Sequence, residues 1–502
     1  MEAHLPILPI LLPFASGVLL LALRDLPMPL RRVIALAALG LQLASALALL
    51  AATSGGEILV YRLGDWPAPW GIVLMADRLA AWMVAITLIL ALFALIHAGD
   101  GTDRRGRHFH VLFQMQLFGL TGAFLTGDLF NLFVFFEILL IASYGLLLHG
   151  HGLERARAGL HYVVLNLIGS TVFLFAAGLL YASLGTLNMA HLAAQAAVAP
   201  PENLGLARAG GLLLFGVFAL KAAAAPLLLW LPAAYASTSA PVAALFAIMT
   251  KVGAYALLRA DTLIFGPASG GLAGLFSPWL LPLALVTLGI GALGALAAER
   301  LKRLTAWLVI ASVGMLLTAF SLGTQGVAAG LYYLPHSTFA AALMFLIAEA
   351  VARRRPAGVD FFRPDADLPR PALWGALFFA AAIALAGLPP LSGFLGKFFV
   401  LRAAPHLPLV WAAVLIAAFL GIVALARAGS RLFFSTRTGE AAVAEPDSAA
   451  RELAAIAGLL TLLVALTVAA GPAFDHARSI AEQLADPVAY IAAVLGDMGS
   501  TR

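Results

Sequence analysis

Residues 209–260 read AGGLLLFGVFALKAAAAPLLLWLPAAYASTSAPVAALFAIMTKVGAYALLRA, two long apolar runs that meet at a short polar turn. Each run carries one lysine at its middle, Lys221 and Lys251. As a helix each run is long enough to cross the ~30 Å hydrocarbon core of a bilayer. A lysine near the centre of such a helix costs about 2.5–3.5 kcal/mol on insertion scales, so it marks a functional site by default. Pro226 follows Lys221 within the same run. Its ring clashes one turn back and it has no N–H to donate, so the helix is expected to break beside the amine. A buried titratable amine next to broken backbone is how proton and ion pathways are built inside membranes.

The rest of the chain repeats this character. Of 502 residues, 62% are hydrophobic and 11% are charged, a composition of an all-α polytopic membrane protein and not of a soluble domain. We count fourteen spans, from 5–23 through 453–471. The first of them lacks the basic flank and small-residue cleavage site of a signal peptide. Residues 185–208 are expected to hold a short interfacial helix, and the tail 474–495 to lie along the interface. The absence of cysteine excludes disulfides and thiolate-bound clusters. There is no Walker loop, no metal-ligand spacing, no catalytic triad and no sign of a cofactor. Basic patches with interleaved aromatics are lacking too, so nucleic acid is not an expected partner.

The loops test the span count. Twenty of the thirty arginines and lysines fall in the odd-numbered loops, in groups such as Arg31–Arg32, Arg104–Arg107, Arg300–Arg303 and Arg353–Arg355. Seven, among them Arg62, Arg78, Arg208 and Arg259, fall in the even loops, span edges and tail. The positive-inside rule then puts the odd loops in the cytoplasm and both termini outside. The remaining three are Lys221, Lys251 and Lys397, all inside spans, although the chain has only four lysines. Arginine stays protonated at any accessible pH, whereas a buried lysine can release its proton. Lysine reserved for buried sites is what titration requires.

Other polar residues share the spans. Glu137 lies in NLFVFFEILLIASYGLLL with two apolar turns on either side, and is expected to pair with Lys221. Lys397 lies in ALAGLPPLSGFLGKFFVLR, where Pro389, Pro390 and Gly393 break the twelfth span just before it; the bland alternative is a lysine snorkelling to an interface. His336 follows Pro335 in the eleventh span and suits a proton relay, against the plainer reading of a hydrogen-bonded packing residue. Asn166 reads as a helix–helix hydrogen bond and Glu349 as an ion pair with Arg353–Arg355 at a helix end. Asp128, His97, His149 and His151 read as interfacial. Gly289, Gly291 and Gly294 spell G-x-G-x-x-G, but inside a span that pattern points to close helix packing and not to a dinucleotide.

The broken spans seven and twelve are five apart, and an odd offset makes corresponding helices cross in opposite directions, the signature of an inverted repeat. This divides the chain into peripheral helices at 1–107, a first repeat at 108–260 (spans four to eight), a second at 261–437 (spans nine to thirteen), and span fourteen with an interfacial tail at 438–502.

Four stretches carry a resemblance: GDLFNLFVFFEILLIASYGLLLHG, FALKAAAAPLLLWLPAAYASTSAP, APVAALFAIMTKVGAYALLR and GLPPLSGFLGKFF. Together they resemble the proton-translocating antiporter-like family shared by Mrp-type (Pha or Mnh) multisubunit cation/proton antiporters and the membrane arm of respiratory complex I. The likeness runs over spans three to thirteen, and within the family it is to the D-type Mrp subunits, since the chain stops about thirty residues after span fourteen. The resemblance implies roles in proton translocation for Glu137, Lys221, Lys251, His336 and Lys397. The family places a further lysine about five residues past the histidine, where this chain has Ala341, so water or His336 alone would carry protons across that gap. It also implies Na⁺ or K⁺ efflux coupled to proton movement, in a hetero-oligomeric complex of the bacterial inner membrane. The competing expectation is a proton-pumping subunit of complex I or of a membrane-bound hydrogenase.

Overall fold

The computed structural model describes residues 2–356, 358–363, 368–435 and 449–496. Arg437, Arg502 and the expected boundary at 437–438 lie outside the described residues. The N-terminal helices are α1 (Leu8–Ala22), α2 (Met28–Thr53) and α3 (Arg78–Ala98), with a hairpin of β1 (Leu59–Arg62) and β2 (Val73–Ala76) between the last two. Then come α4 (Phe109–Leu125), α5 (Leu129–Leu148), α6 (Leu153–Leu184), the short α7 (Met189–Ala197) and α8 (Pro201–Ala222). They are followed by α9 (Trp230–Ser237), α10 (Ala240–Phe246), α11 (Met249–Arg259), α12 (Ser277–Ala297), α13 (Leu301–Phe320) and α14 (Gly323–Arg353). The chain finishes with α15 (Pro371–Ala386), α16 (Ser392–Arg402), α17 (Pro408–Gly429), α18 (Ala449–Val468), α19 (Ala470–Ala485) and α20 (Val488–Leu495).

Twelve helical segments among the described residues are long and apolar enough to cross a membrane by length and composition. The apolar helices Phe109–Leu125 and Pro371–Ala386 are shorter and occupy the places of the other two expected spans. Local chemistry sets many boundaries. Asp77, Asp128 and Asn188 cap α3, α5 and α7, accepting backbone N–H bonds of 2.8–3.1 Å from Ala80, Asn131, and Ala190 with His191. Prolines that need no N–H partner open α8, α15 and α17.

The central helices are wrapped on all sides. Every residue of the most apolar 18-residue window is buried in both Ala240–Ile264 and Gly323–Arg353. The glycine pattern of α12 serves this packing: a methyl group on Gly291 or Gly294 would overlap Ala311 or Trp307 of α13.

Odd connections gather at one face. Arg32 grips Asp103 at 2.6 and 2.7 Å, Arg353 bonds Asp100 and Glu452, Arg354 bonds Glu452 at 2.8 Å, and Lys302 reaches Glu349 at 3.3 Å. Even connections and the tail gather at the other face, where Arg259 grips Asp77 at 2.6 and 2.8 Å and Gln483 reaches Gly56. The alternation read from the arginines is therefore also a spatial segregation. The short helix expected within 185–208 is α7, whose Met189, Ala190, Leu192, Ala193 and Ala196 are buried. In the tail, Ala477, Ile480, Ala481 and Leu484 of α19 are buried against the protein, where the helix packs on α14, while Asp475, Arg478 and Glu482 on its other face are exposed. Its apolar stripe is covered by protein because Arg78 and Gln483 tie it down.

Candidate functional site

The seventh span breaks where the proline demands it. A proline ring clashes with the carbonyl four residues earlier, which for Pro226 is Ala222, the last residue of α8. Ala223 follows in the left-handed region (φ 57°) and the chain resumes as α9. The twelfth span repeats the device: Pro390 stands four residues after Ala386, where α15 ends, and Gly387 takes φ 72°. At the first break the freed Ala225 N–H donates to Thr287 Oγ1 of α12 at 2.9 Å, so the second half of the chain satisfies backbone freed in the first.

Lys221, the penultimate residue of α8, is buried, and its Nζ donates to Asn166 Oδ1 at 3.3 Å. It also lies 5.8 Å from the centre of the Phe136 ring. One turn along α6 from Asn166, Ser170 donates to the neighbouring Glu137 Oε1. The expected pairing of Glu137 with Lys221 is thus indirect. Both α5 and α8 pack on α6, where Ser170 bonds the carboxylate and Asn166, one turn away, bonds the amine. Asn166 is the interhelical hydrogen bond read from the sequence, and its partner is the lysine itself.

Lys251 is fully buried on α11 and donates to Ser312 Oγ of α13 at 3.1 Å. Its helix reaches this depth because Gly253 lies directly on the end of α8, where an added methyl would overlap the Ala222 nitrogen. Beyond Ser312 a cavity of about 40 Å³, room for a few water molecules, is lined by Ser312, His336, Ser337, Ala341 and Lys397. His336 is buried, with its Nδ1 2.9 Å from Ser392 Oγ at the start of α16. Lys397 does not snorkel: its Nζ turns back to the carbonyl of Ala386, 2.6 Å away, one of the acceptors that the break leaves free.

The three lysines thus share a chemical setting. Each meets a neutral oxygen, from Asn166, Ser312 or Ala386. Two buried cations at the faces, Arg259 and Arg354, meet carboxylates instead. Arg259 faces Asp77, and Glu349 collects Lys302 at 3.3 Å, Arg353 at 2.7 Å and Arg105 at 3.6 Å. Glu349 is the helix-end ion pair expected, and it also accepts the Ala240 N–H that opens α10. His97 and His149, expected at an interface, are buried, His97 beside Asp100 at 3.4 Å. Outside the spans, burial pushes the Asp103 carboxyl up, but hydrogen bonds from Arg32 and His110 outweigh it and hold the group down at about 2.

Sequence reading missed Ser170, Ser312, Ser392 and Thr287. Only Ser170 carried a signal, since it sits four residues from Asn166 on one helical face. The buried Asp77–Arg259 pair was missed because both residues sit at span ends, where solvent is the default assumption.

Comparison with known proteins agrees with this arrangement. Residues 126–422 match the family model described as NADH:quinone oxidoreductase/Mrp antiporter, TM. The chain is 40% identical to the D-type subunit of a probable K⁺/H⁺ antiporter of Rhizobium meliloti (strain 1021), over 98% of this chain and 97% of that protein. It is 36% identical to the D-type subunit of a Na⁺/H⁺ antiporter of Alkalihalophilus pseudofirmus, over 98% and 99% of the two chains. Its fold superimposes on a chain of the Mrp complex from Dietzia sp. DQ12-45-1b with a TM-score of 0.86 and 26% identity, covering 99% of each. The chain is therefore a multi-pass membrane protein that belongs to the NADH:quinone oxidoreductase/Mrp antiporter transmembrane family.

Proposed function

We propose that this chain is the proton-translocating subunit of a hetero-oligomeric monovalent cation/proton antiporter, moving H⁺ in exchange for Na⁺ or K⁺ across the bacterial inner membrane. It is a transporter subunit and not an enzyme. Two inverted units, 108–260 and 261–437, each supply a half-pathway through a broken helix. Protons pass along Glu137, Lys221, Lys251, His336 and Lys397, with the odd loops cytoplasmic and both termini outside.

The observation that carries this reading is the contrast between cations. A lysine on a carboxylate is stabilised in its charged form, whereas one on an amide, hydroxyl or carbonyl oxygen can lose its proton without stranding a buried anion. The three mid-membrane lysines bond neutral oxygens, whereas the buried Arg259 and Arg354 bond carboxylates. Asn166 and Ser170 support coupling between Glu137 and Lys221 without locking them in an ion pair. The water-sized cavity beside Ala341 supports proton passage where the family's further lysine is missing. Each charge moved through 100 mV is worth about 2.3 kcal/mol, enough to bias lysine protonation by more than one pKa unit. The relatives named as antiporter subunits match nearly end to end and favour this reading over a redox-driven pump.

Everted membrane vesicles containing the whole complex test it. Glu137→Ala or Lys221→Ala is expected to abolish Na⁺- and K⁺-dependent dissipation of a pH gradient while the complex still assembles. Antiport at the parental rate in an assembled variant rejects the role assigned to that residue.

A further inference from the structure

Some arginines of the odd-loop face have a buried anion: Arg32 has Asp103, Arg353 has Asp100 and Glu452, and Arg354 has Glu452. A second group on that face does not. Arg157 and His161 on the first turns of α6, and Arg303 on the first turn of α13, take no hydrogen bond or ion pair with any described residue. They converge with Arg300 on a cleft of about 510 Å³ whose other wall includes Ser237 at the end of α9. Its one carboxylate is Glu154, 72% exposed and bonded to Arg300 at 3.3 Å. The positive-inside rule explains why arginines lie on this face. It does not explain why cations from two separate helix pairs line one cleft with a net positive lining.

The surroundings identify the occupant. On α6, Leu160, Val164 and Leu167 descend from Arg157 one turn at a time, all exposed. On α12, Leu293, Ile290 and Val286 descend from the Arg300 turn, also exposed. A cationic cleft at the rim of the apolar belt, with apolar ridges running down from it, matches a molecule with an anionic head and hydrocarbon chains. Guanidinium groups bind phosphate oxygens in pairs, and basic pockets on the cytoplasmic side of membrane helices are suited to anionic headgroups. We propose that this cleft seats the phosphate headgroup of an anionic phospholipid from the bilayer, with its acyl chains against α6 and α12. The bound head rests on α9, the second limb of the broken seventh span, which Arg155 also holds through a 2.9 Å bond to the Ser237 carbonyl. The site stands on cleft charge and shape alone, so its fate is separate from that of the antiport reading.

The test uses the whole complex purified in mild detergent, with native mass spectrometry to count bound phosphatidylglycerol after titration from mixed micelles. Arg157→Gln with Arg303→Gln is expected to weaken phosphatidylglycerol binding about thirty-fold, at the usual contribution per basic residue near an anionic surface. Arg157→Lys with Arg303→Lys, which keeps the charge but loses the paired geometry, is expected to weaken binding less than the glutamine pair does. Glu154→Gln is expected to tighten binding. Equal phosphatidylglycerol binding by the parent and the glutamine pair overturns the proposal. So does displacement of the lipid by millimolar inorganic phosphate, which assigns the cleft to a free anion. Loss of a neighbouring subunit from both the glutamine-pair and lysine-pair complexes also overturns it, since the cleft is then a protein interface.

Discussion

Lys251 shows how much a single partner decides. It is sealed from solvent, and its amine bonds a serine hydroxyl that itself donates to the Val309 carbonyl at 2.7 Å. Substitution by arginine keeps the positive charge but removes the ability to release it. Lys251→Arg is therefore expected to cost at least about ten-fold in antiport rate in everted vesicles, whereas a merely electrostatic role would leave the rate near the parental value. Asp103 makes the opposite case, a charge meant to stay. Its carboxyl is held at about 2, below the ordinary value near 3.9, so its stabilisation is complete above that ordinary value and fades as the pH falls through about 2. Asp103→Asn leaves Arg32 without its anion and is expected to destabilise the complex by about 3 kcal/mol. A lowered thermal midpoint at neutral pH, with a gap that narrows as the pH approaches about 2, is the expected result. A gap that does not change with pH counts against the assigned ion pair.

At the scale of elements, the breaks in spans seven and twelve come from the same rule applied twice. Pro226 ends α8 at Ala222 and Pro390 ends α15 at Ala386, each four residues upstream. Restoring the N–H with Pro226→Ala permits the helix to continue past Lys221 and swings the following residues around its axis. Antiport is expected to fall sharply while the complex assembles, and near-normal transport shows that the break is dispensable. Gly253 tests packing in place of backbone geometry. A methyl there collides with the backbone at the end of α8, which cannot retreat without disturbing Lys221. Gly253→Ala is expected to cost about 1–3 kcal/mol of stability, read as a lower thermal midpoint of the purified complex, and a midpoint unchanged from the parent rejects the close contact. Both proline breaks were legible in the sequence. The contact of Gly253 with α8 was not, because it joins two helices across a turn whose geometry no local pattern fixes.

For the whole molecule, the alternation of basic and neutral loops gives a sided protein that is directly testable because the chain has no cysteine of its own. His151, in an odd loop, and Trp70, in an even one, are both exposed. A single cysteine at Trp70 is expected to react with a membrane-impermeant thiol reagent in intact cells, and one at His151 only in everted vesicles. The reverse pattern inverts the orientation proposed here. By itself the sequence determined the membrane class, the alternation of faces, the two breaks and which lysines lie inside the spans. Each of these follows from one-dimensional quantities: run length, arginine spacing, proline position and the cost of a charge in hydrocarbon. Only the tertiary structure decided what each lysine meets. Asn166, Ser312 and Ala386 lie 55, 61 and 11 residues from their amines. A hydrogen bond formed by helix packing depends on which faces meet, and pairwise packing over that distance leaves no periodic trace in the chain.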